Sequence, residues 1–182
     1  MPSTVLGLPL HPLVVHAVVV LVPLAALLVA ASAVSPRFRR WALWATPAVA
    51  LVGLALVPVA TGSGENLEGS IQSTPVLEEH TELGDTLLPF MVVLTVLALA
   101  MFVLERRRAV PVSDGPGAAR AGAPSDTRGG LDSPVLVRVV AVLALVAALA
   151  TMVQVVRIGH SGAEAVWKGT GQSSSGAEQG DK

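Results

Sequence analysis

Residues 12–34 read PLVVHAVVVLVPLAALLVAASAV, and this stretch decides the class of fold. An α-helix rises about 1.5 Å per residue, so about 20 apolar residues cross the roughly 30 Å of bilayer hydrocarbon. The stretch has that length, carries no charge, and interrupts its aliphatic run only with His16, Pro23 and Ser32. Ala31-Ser32-Ala33 looks like a signal-peptidase site, but no lysine or arginine precedes it and Arg37, Arg39 and Arg40 follow directly. Signal-peptide cores are also shorter, at about 7–15 residues behind a basic start. The segment therefore reads as a retained membrane span.

Three more stretches satisfy the same length rule. They are WALWATPAVALVGLALVPVA (41–60), TLLPFMVVLTVLALAMFVL (86–104) and PVLVRVVAVLALVAALATMVQVV (134–156). No span has a charge near its centre; Arg138 lies within a turn of its span's start, where a long side chain snorkels to the interface. The composition agrees: 52% hydrophobic, 14% charged, with a mean hydropathy of +0.67. The fold class expected is all-α, a polytopic four-transmembrane-helix bundle embedded in the lipid bilayer.

Arginine placement orients the bundle. Arg37, Arg39 and Arg40 follow span one, and Arg106, Arg107, Arg108, Arg120 and Arg128 follow span three. The segment between spans two and three has no basic residue but carries Glu65, Glu68, Glu78, Glu79, Glu82 and Asp85. The positive-inside rule then makes both basic loops cytoplasmic and puts the acidic loop and both termini outside a cell membrane. Residues 1–167 form one membrane domain, residues 109–133, rich in Gly, Ala, Pro and Ser, read as a flexible cytoplasmic linker, and residues 168–182 read as a disordered tail. Thr74-Pro75-Val76-Leu77-Glu78 has an N-cap, a proline at the first helical position and an early glutamate, so span three starts near residue 75 and projects above the membrane. Pro23, Pro47, Pro58 and Pro89 are expected to bend their spans.

On this topology all four histidines come out on the outer side: His11 and His16 at span one, His80 above span three and His160 beyond span four. Imidazole is the commonest metal ligand and an axial haem ligand. His11 and His16 are five apart, about 140° of helical rotation, so they do not share a face. With Pro12 taken as the first helical residue, His11 falls on the lead-in and His16 turns into the bundle. His160 and Glu164, four apart, share a face if the helix runs on through Gly159 and Gly162. Candidate cofactor ligands are thus His16, His80 and His160, and candidate metal ligands His11, His16, His80, His160 and Glu164.

The pieces His11-Pro12-Leu13-Val14-Val15-His16, Thr61-Gly62, His80 with Leu83-Gly84, and Gly159-His160-Ser161-Gly162-Ala163 with Val166-Trp167 carry a resemblance. Together they resemble the bacterial four-helix membrane proteins grouped as domain of unknown function 2231. Where that family has Phe-Pro after the second histidine, this chain has Ala17-Val18. Its members are similar in layout to small four-helix b-type cytochromes, which implies haem or metal; the family brings no settled activity.

Two functions compete. One is haem b or transition-metal binding by the outer histidines, with a membrane or extracytoplasmic redox partner. With no histidine near the cytoplasmic side, only a single outer haem fits. The other is a non-catalytic structural or partner-docking module whose histidines tie helix ends together, and a homo-oligomer suits either. A net charge of −1 gives no support to a nucleic-acid partner. The absence of cysteine removes disulfides, thiolate chemistry and covalent c-type haem. Transport has less support because the span centres hold no ionisable group, and the chain shows no Gly-x-Ser-x-Gly elbow or His-Glu-x-x-His helix that would mark a hydrolase.

Overall fold

The structure is a computed structural model that describes residues 4–5, 8–68, 75–109 and 133–173. Six helices follow one another: α1 (Leu10–Val34), α2 (Pro36–Trp41), α3 (Ala45–Glu68), α4 (Pro75–Asp85), α5 (Leu87–Ala109) and α6 (Pro134–Ser173). Ahead of them Thr4–Val5 (β1) pairs antiparallel with Leu8–Pro9 (β2). Four helical stretches are long and apolar enough to cross a membrane: His11–Val34, Ala45–Asn66, Leu77–Arg108 and Pro134–Glu164. The all-α, four-span architecture expected from the sequence is the one that forms.

The spans close into a ring in which α1 packs on α3 and α6, and α5 packs on the same two. Each span is apolar nearly all round, so hydrophobic periodicity does not choose the inward face; side-chain size does. Ala25, Ala26, Ala50, Ala98, Ala144 and Ala148 are buried at the helix contacts, while Val20, Leu27, Val142, Val146 and Val153 are exposed to the lipid side. Where lipid is as apolar as leucine, close backbone approach at small residues is what draws helices together.

Several boundaries differ from the sequence expectation, and some of the differences have a visible cause. The second span starts at Ala45 rather than residue 41, because Ser35 and Pro36 nucleate α2: the Ser35 hydroxyl accepts from Phe38 N at 3.2 Å and Pro36 sits at the first helical position. The helix expected from residue 75 does form, but it breaks at Thr86, whose hydroxyl donates to the Leu83 carbonyl at 2.6 Å. Gln154 of α6, 4% exposed, donates to the same Leu83 carbonyl and to Thr86 Oγ1, satisfying the break between α4 and α5. Finally α6 runs 40 residues, about 60 Å, so residues 168–173 continue a helix instead of opening a tail. Residues 174–182 and the linker expected over 109–133, save its two ends, lie outside the described residues.

Because the spans alternate in direction, the chain sorts its polar groups to two ends. The ends of α1 and α5 and the starts of α3 and α6 carry Arg37, Arg39, Arg40, Arg106, Arg107, Arg108 and Arg138; the opposite end carries all four histidines. At the arginine end Arg39 Nε lies 3.2 Å from Glu105 Oε2, with both side chains nearly buried. That distance makes an ion pair, although the Nε–H is not aimed at a hydrogen-bond acceptor. Beside it, Ser32 of α1 and Thr46 of α3 hydrogen-bond at 3.2 Å.

Candidate functional site at the histidine end

His11 is the second residue of α1, and its ring reaches α3. Its Nδ1 lies 3.2 Å from the Ala60 carbonyl and 3.1 Å from Ser63 Oγ. A carbonyl only accepts, so Nδ1 carries the proton. The Ser63 hydroxyl spends its own hydrogen on the Ala60 carbonyl at 2.9 Å, leaving its oxygen as an acceptor for the imidazole. Gly64 makes room for the ring: a Cβ there would stand 3.1 Å from His11 Cε1.

His80, on α4, repeats the arrangement against α6. Its Nδ1 lies 3.1 Å from Ser161 Oγ, which donates to the Ile158 carbonyl at 3.0 Å. With the serine hydrogen engaged, His80 Nδ1 is again the donor. Gly162 admits the ring, since a Cβ there would lie 2.9 Å from Cε1. Two Ser-Gly pairs, Ser63-Gly64 and Ser161-Gly162, thus cradle two histidines in the same tautomer. No hydrogen bond among the described residues uses either Nε2.

Both imidazoles line one cavity of about 170 Å³. Its walls are Val15, Val18, Val57 and Leu87 on the membrane side, and Thr61, Glu65, Thr81 and Asp85 add polar groups. The α3 and α4 contributions match in spacing: Thr61, Gly64 and Glu65 against Thr81, Gly84 and Asp85, each set at i, i+3 and i+4 on one helical face.

The other expected ligands lie elsewhere. His16, expected to be the inward member, is exposed and its Nδ1 bonds the Pro12 carbonyl of its own helix at 2.5 Å. The correction follows from register. His11 lies in line with Val18, Val22, Ala25 and Val29, the buried stripe of α1, whereas His16 falls in line with exposed Val20 and Leu27. Because α1 begins at Leu10 and not at Pro12, His11 is already on the helix and inherits the inward face. His160 and Glu164 share a face as expected, with Nε2 and Oε1 3.8 Å apart, but the histidine side chain is 78% exposed. Among the described residues no three His, Asp or Glu groups stand close enough to hold one metal ion. The five-residue metal set of His11, His16, His80, His160 and Glu164 is therefore not brought together; His11 and His80 are. Sequence reading missed Ser63, Gly64 and the roles of Ser161 and Gly162. Their signal was the Ser-Gly pair recurring at the same end of two spans.

Neither curated proteins nor solved structures include a match to this chain. One family pattern, described as a predicted membrane protein, covers residues 7–174, from just before the His11 helix to the end of α6. The chain belongs to that family, DUF2231.

Proposed function

We propose that this membrane protein holds one haem b between His11 and His80, with the histidine end outside the cell membrane and the arginine end in the cytoplasm. The observation that carries the reading is the matched pair of cradles, which fix both histidines as Nδ1–H tautomers, leave each Nε2 without a hydrogen bond among the described residues, and set both residues on the lining of a single apolar-walled cavity. A hydrogen bond from the far ring nitrogen is the usual support of a ligating imidazole. Two ligands suffice for haem, whereas a non-haem ion draws on three or four. The two nitrogen donors suit haem iron and the valine walls suit an apolar macrocycle; the cavity of about 170 Å³ is smaller than a haem, so binding requires the helix ends around it to part. The charge does not help: Glu65 and Asp85 line the mouth, and the arginine at this end of α6 is Arg157, beside the lining residue Ile158. Bound haem supplies a one-electron couple at that end of the bundle, and the protein's part is to hold the two nitrogens, keep water from the apolar walls and set the tautomer. A redox partner then approaches from the outer side.

The test is the visible spectrum of protein purified from cells supplied with haem. A Soret band that His11→Ala and His80→Ala each remove, and that His16→Ala and His160→Ala leave, supports the assignment. No band in the wild-type protein overturns it, as does a band that survives both inner variants.

The second reading, helix ties, rests on the same hydrogen bonds: His11 joins α1 to α3 and His80 joins α4 to α6. It predicts that both inner variants lower the melting temperature while the spectrum contains no chromophore.

A further inference from the structure

The arginine end holds a second arrangement of groups that the haem reading does not use. Trp44, in the turn before α3, and Phe102 of α5 meet edge to face with centroids 4.7 Å apart. The Arg106 guanidinium lies over both rings, 5.2 Å from the Trp44 centroid and 5.9 Å from that of Phe102. The cation–π contacts hold the guanidinium over the two rings and use its face, not its N–H groups. No hydrogen bond or ion pair among the described residues takes up those N–H groups.

The surroundings are uniformly positive. Arg37, Arg40, Arg107 and Arg138 are exposed at the same end. The acid of the described residues there, Glu105, is already neutralised by Arg39. Below Arg106 the flank of α3 beside α5 is apolar: Trp44, which meets Phe102 of α5, and Leu51, seven positions on and so on the same helical face, are both exposed.

We propose that this flank binds an anionic phospholipid, its phosphate taken by the N–H groups of Arg106 and its acyl chains lying along α3 and α5 below Trp44. Charge complementarity selects the headgroup, since each arginine near the surface favours an anionic lipid and none of the described acids opposes it. The aromatic backing distinguishes Arg106 from its neighbours, because the two rings hold its guanidinium beside Trp44, where it offers two parallel donors to a phosphate. The apolar flank under it suits a lipid rather than free phosphate, which has nothing to place there.

The experiment uses the full chain with Trp41→Phe and Trp167→Phe, so that Trp44 is the remaining fluorophore, in bilayers containing brominated phosphatidylglycerol or brominated phosphatidylcholine at equal mole fraction. The expected result is stronger quenching of Trp44 by the brominated anionic lipid, a preference reduced about fivefold in Arg106→Gln and unchanged in Arg157→Gln at the opposite end. High salt added to the wild-type background weakens the same preference. Equal quenching by the two lipids overturns the proposal, and so does a preference that Arg106→Gln leaves intact.

Discussion

The two ends of this bundle treat polar groups at the membrane boundary in opposite ways. At the arginine end the buried ones are spent on one another: Arg39 meets Glu105, Ser32 meets Thr46, and the space left among them is about 10 Å³, room for one water. At the histidine end the hydrogen bonds stop one atom short. His11 and His80 each use Nδ1 on a serine of the neighbouring helix, leave Nε2 without a hydrogen bond among the described residues, and line a cavity of about 170 Å³. A closed polar knot stabilises; a half-used one with space beside it is arranged for something else. The sharpest way to break the contrast is to open the closed end. Glu105→Ala leaves Arg39, whose side chain is 9% exposed, as an uncompensated charge and costs about 3 kcal/mol. A thermal melt in detergent should show a larger drop for this substitution than for any change at the histidine end, with any Soret band still present below the transition. A melt no lower than that of a surface variant would dissolve the distinction between the ends.

Closing the open end comes next in size. Gly162→Ala places a methyl 2.9 Å from His80 Cε1, and Gly64→Ala places one 3.1 Å from His11 Cε1. Overpacking of this kind costs about 1–3 kcal/mol, and the ring escapes it by moving away from its serine. The expected outcome is a loss of cofactor binding larger than the loss of melting temperature, with Gly162→Ala the more severe because its contact is tighter. If both alanines bind haem as the parent does, the glycines are not there for the histidines.

These two tests also mark where the sequence was readable. The four spans and the sorting of arginines from histidines rest on length and hydropathy, quantities that survive one-dimensional reading. The rotation of α1 does not. Its residues are apolar on every side, so the choice between His11 and His16 as the inward group hangs on where the helix starts, and a start moved from Pro12 to Leu10 puts His11 on the helix. The small residues Ala25 and Ala26 held the answer: counting back 14 and 15 positions from them leads to His11, in line with Val18 and Val22. Pairing was harder still. Nothing local in Ser63-Gly64 or Ser161-Gly162 announces a histidine from 49 or more residues away, and only the recurrence of the dipeptide at one end of the bundle hints at it.

Smaller effects separate the two roles of the cradle. Ser63→Ala and Ser161→Ala each remove an acceptor for Nδ1–H from residues 7% and 5% exposed, for about 1 kcal/mol of stability. They do not act alike. His11 retains the Ala60 carbonyl as an acceptor, so its tautomer holds without Ser63. For His80, Ser161 is the one acceptor among the described residues, and without it the proton is free to move to Nε2, the atom needed for ligation. Haem affinity, titrated by the Soret band, should therefore fall about 10- to 100-fold in Ser161→Ala and much less in Ser63→Ala. Equal losses would mean that the tautomer is set by something other than these bonds.

The smallest expected effect decides the most. His16→Ala removes an exposed ring whose hydrogen bond runs to its own helix, so stability should change by no more than about 0.5 kcal/mol and the spectrum should not change. Span-one histidines are five positions apart and point about 140° away from each other, so one rotation of α1 exchanges them wholesale. A His16 variant that loses the Soret band while His11→Ala keeps it would thus do more than reassign a ligand. It would turn the whole of α1, taking Val18, Val22 and Ala25 off the core, and that outcome is at odds with the small-residue contacts that close the bundle.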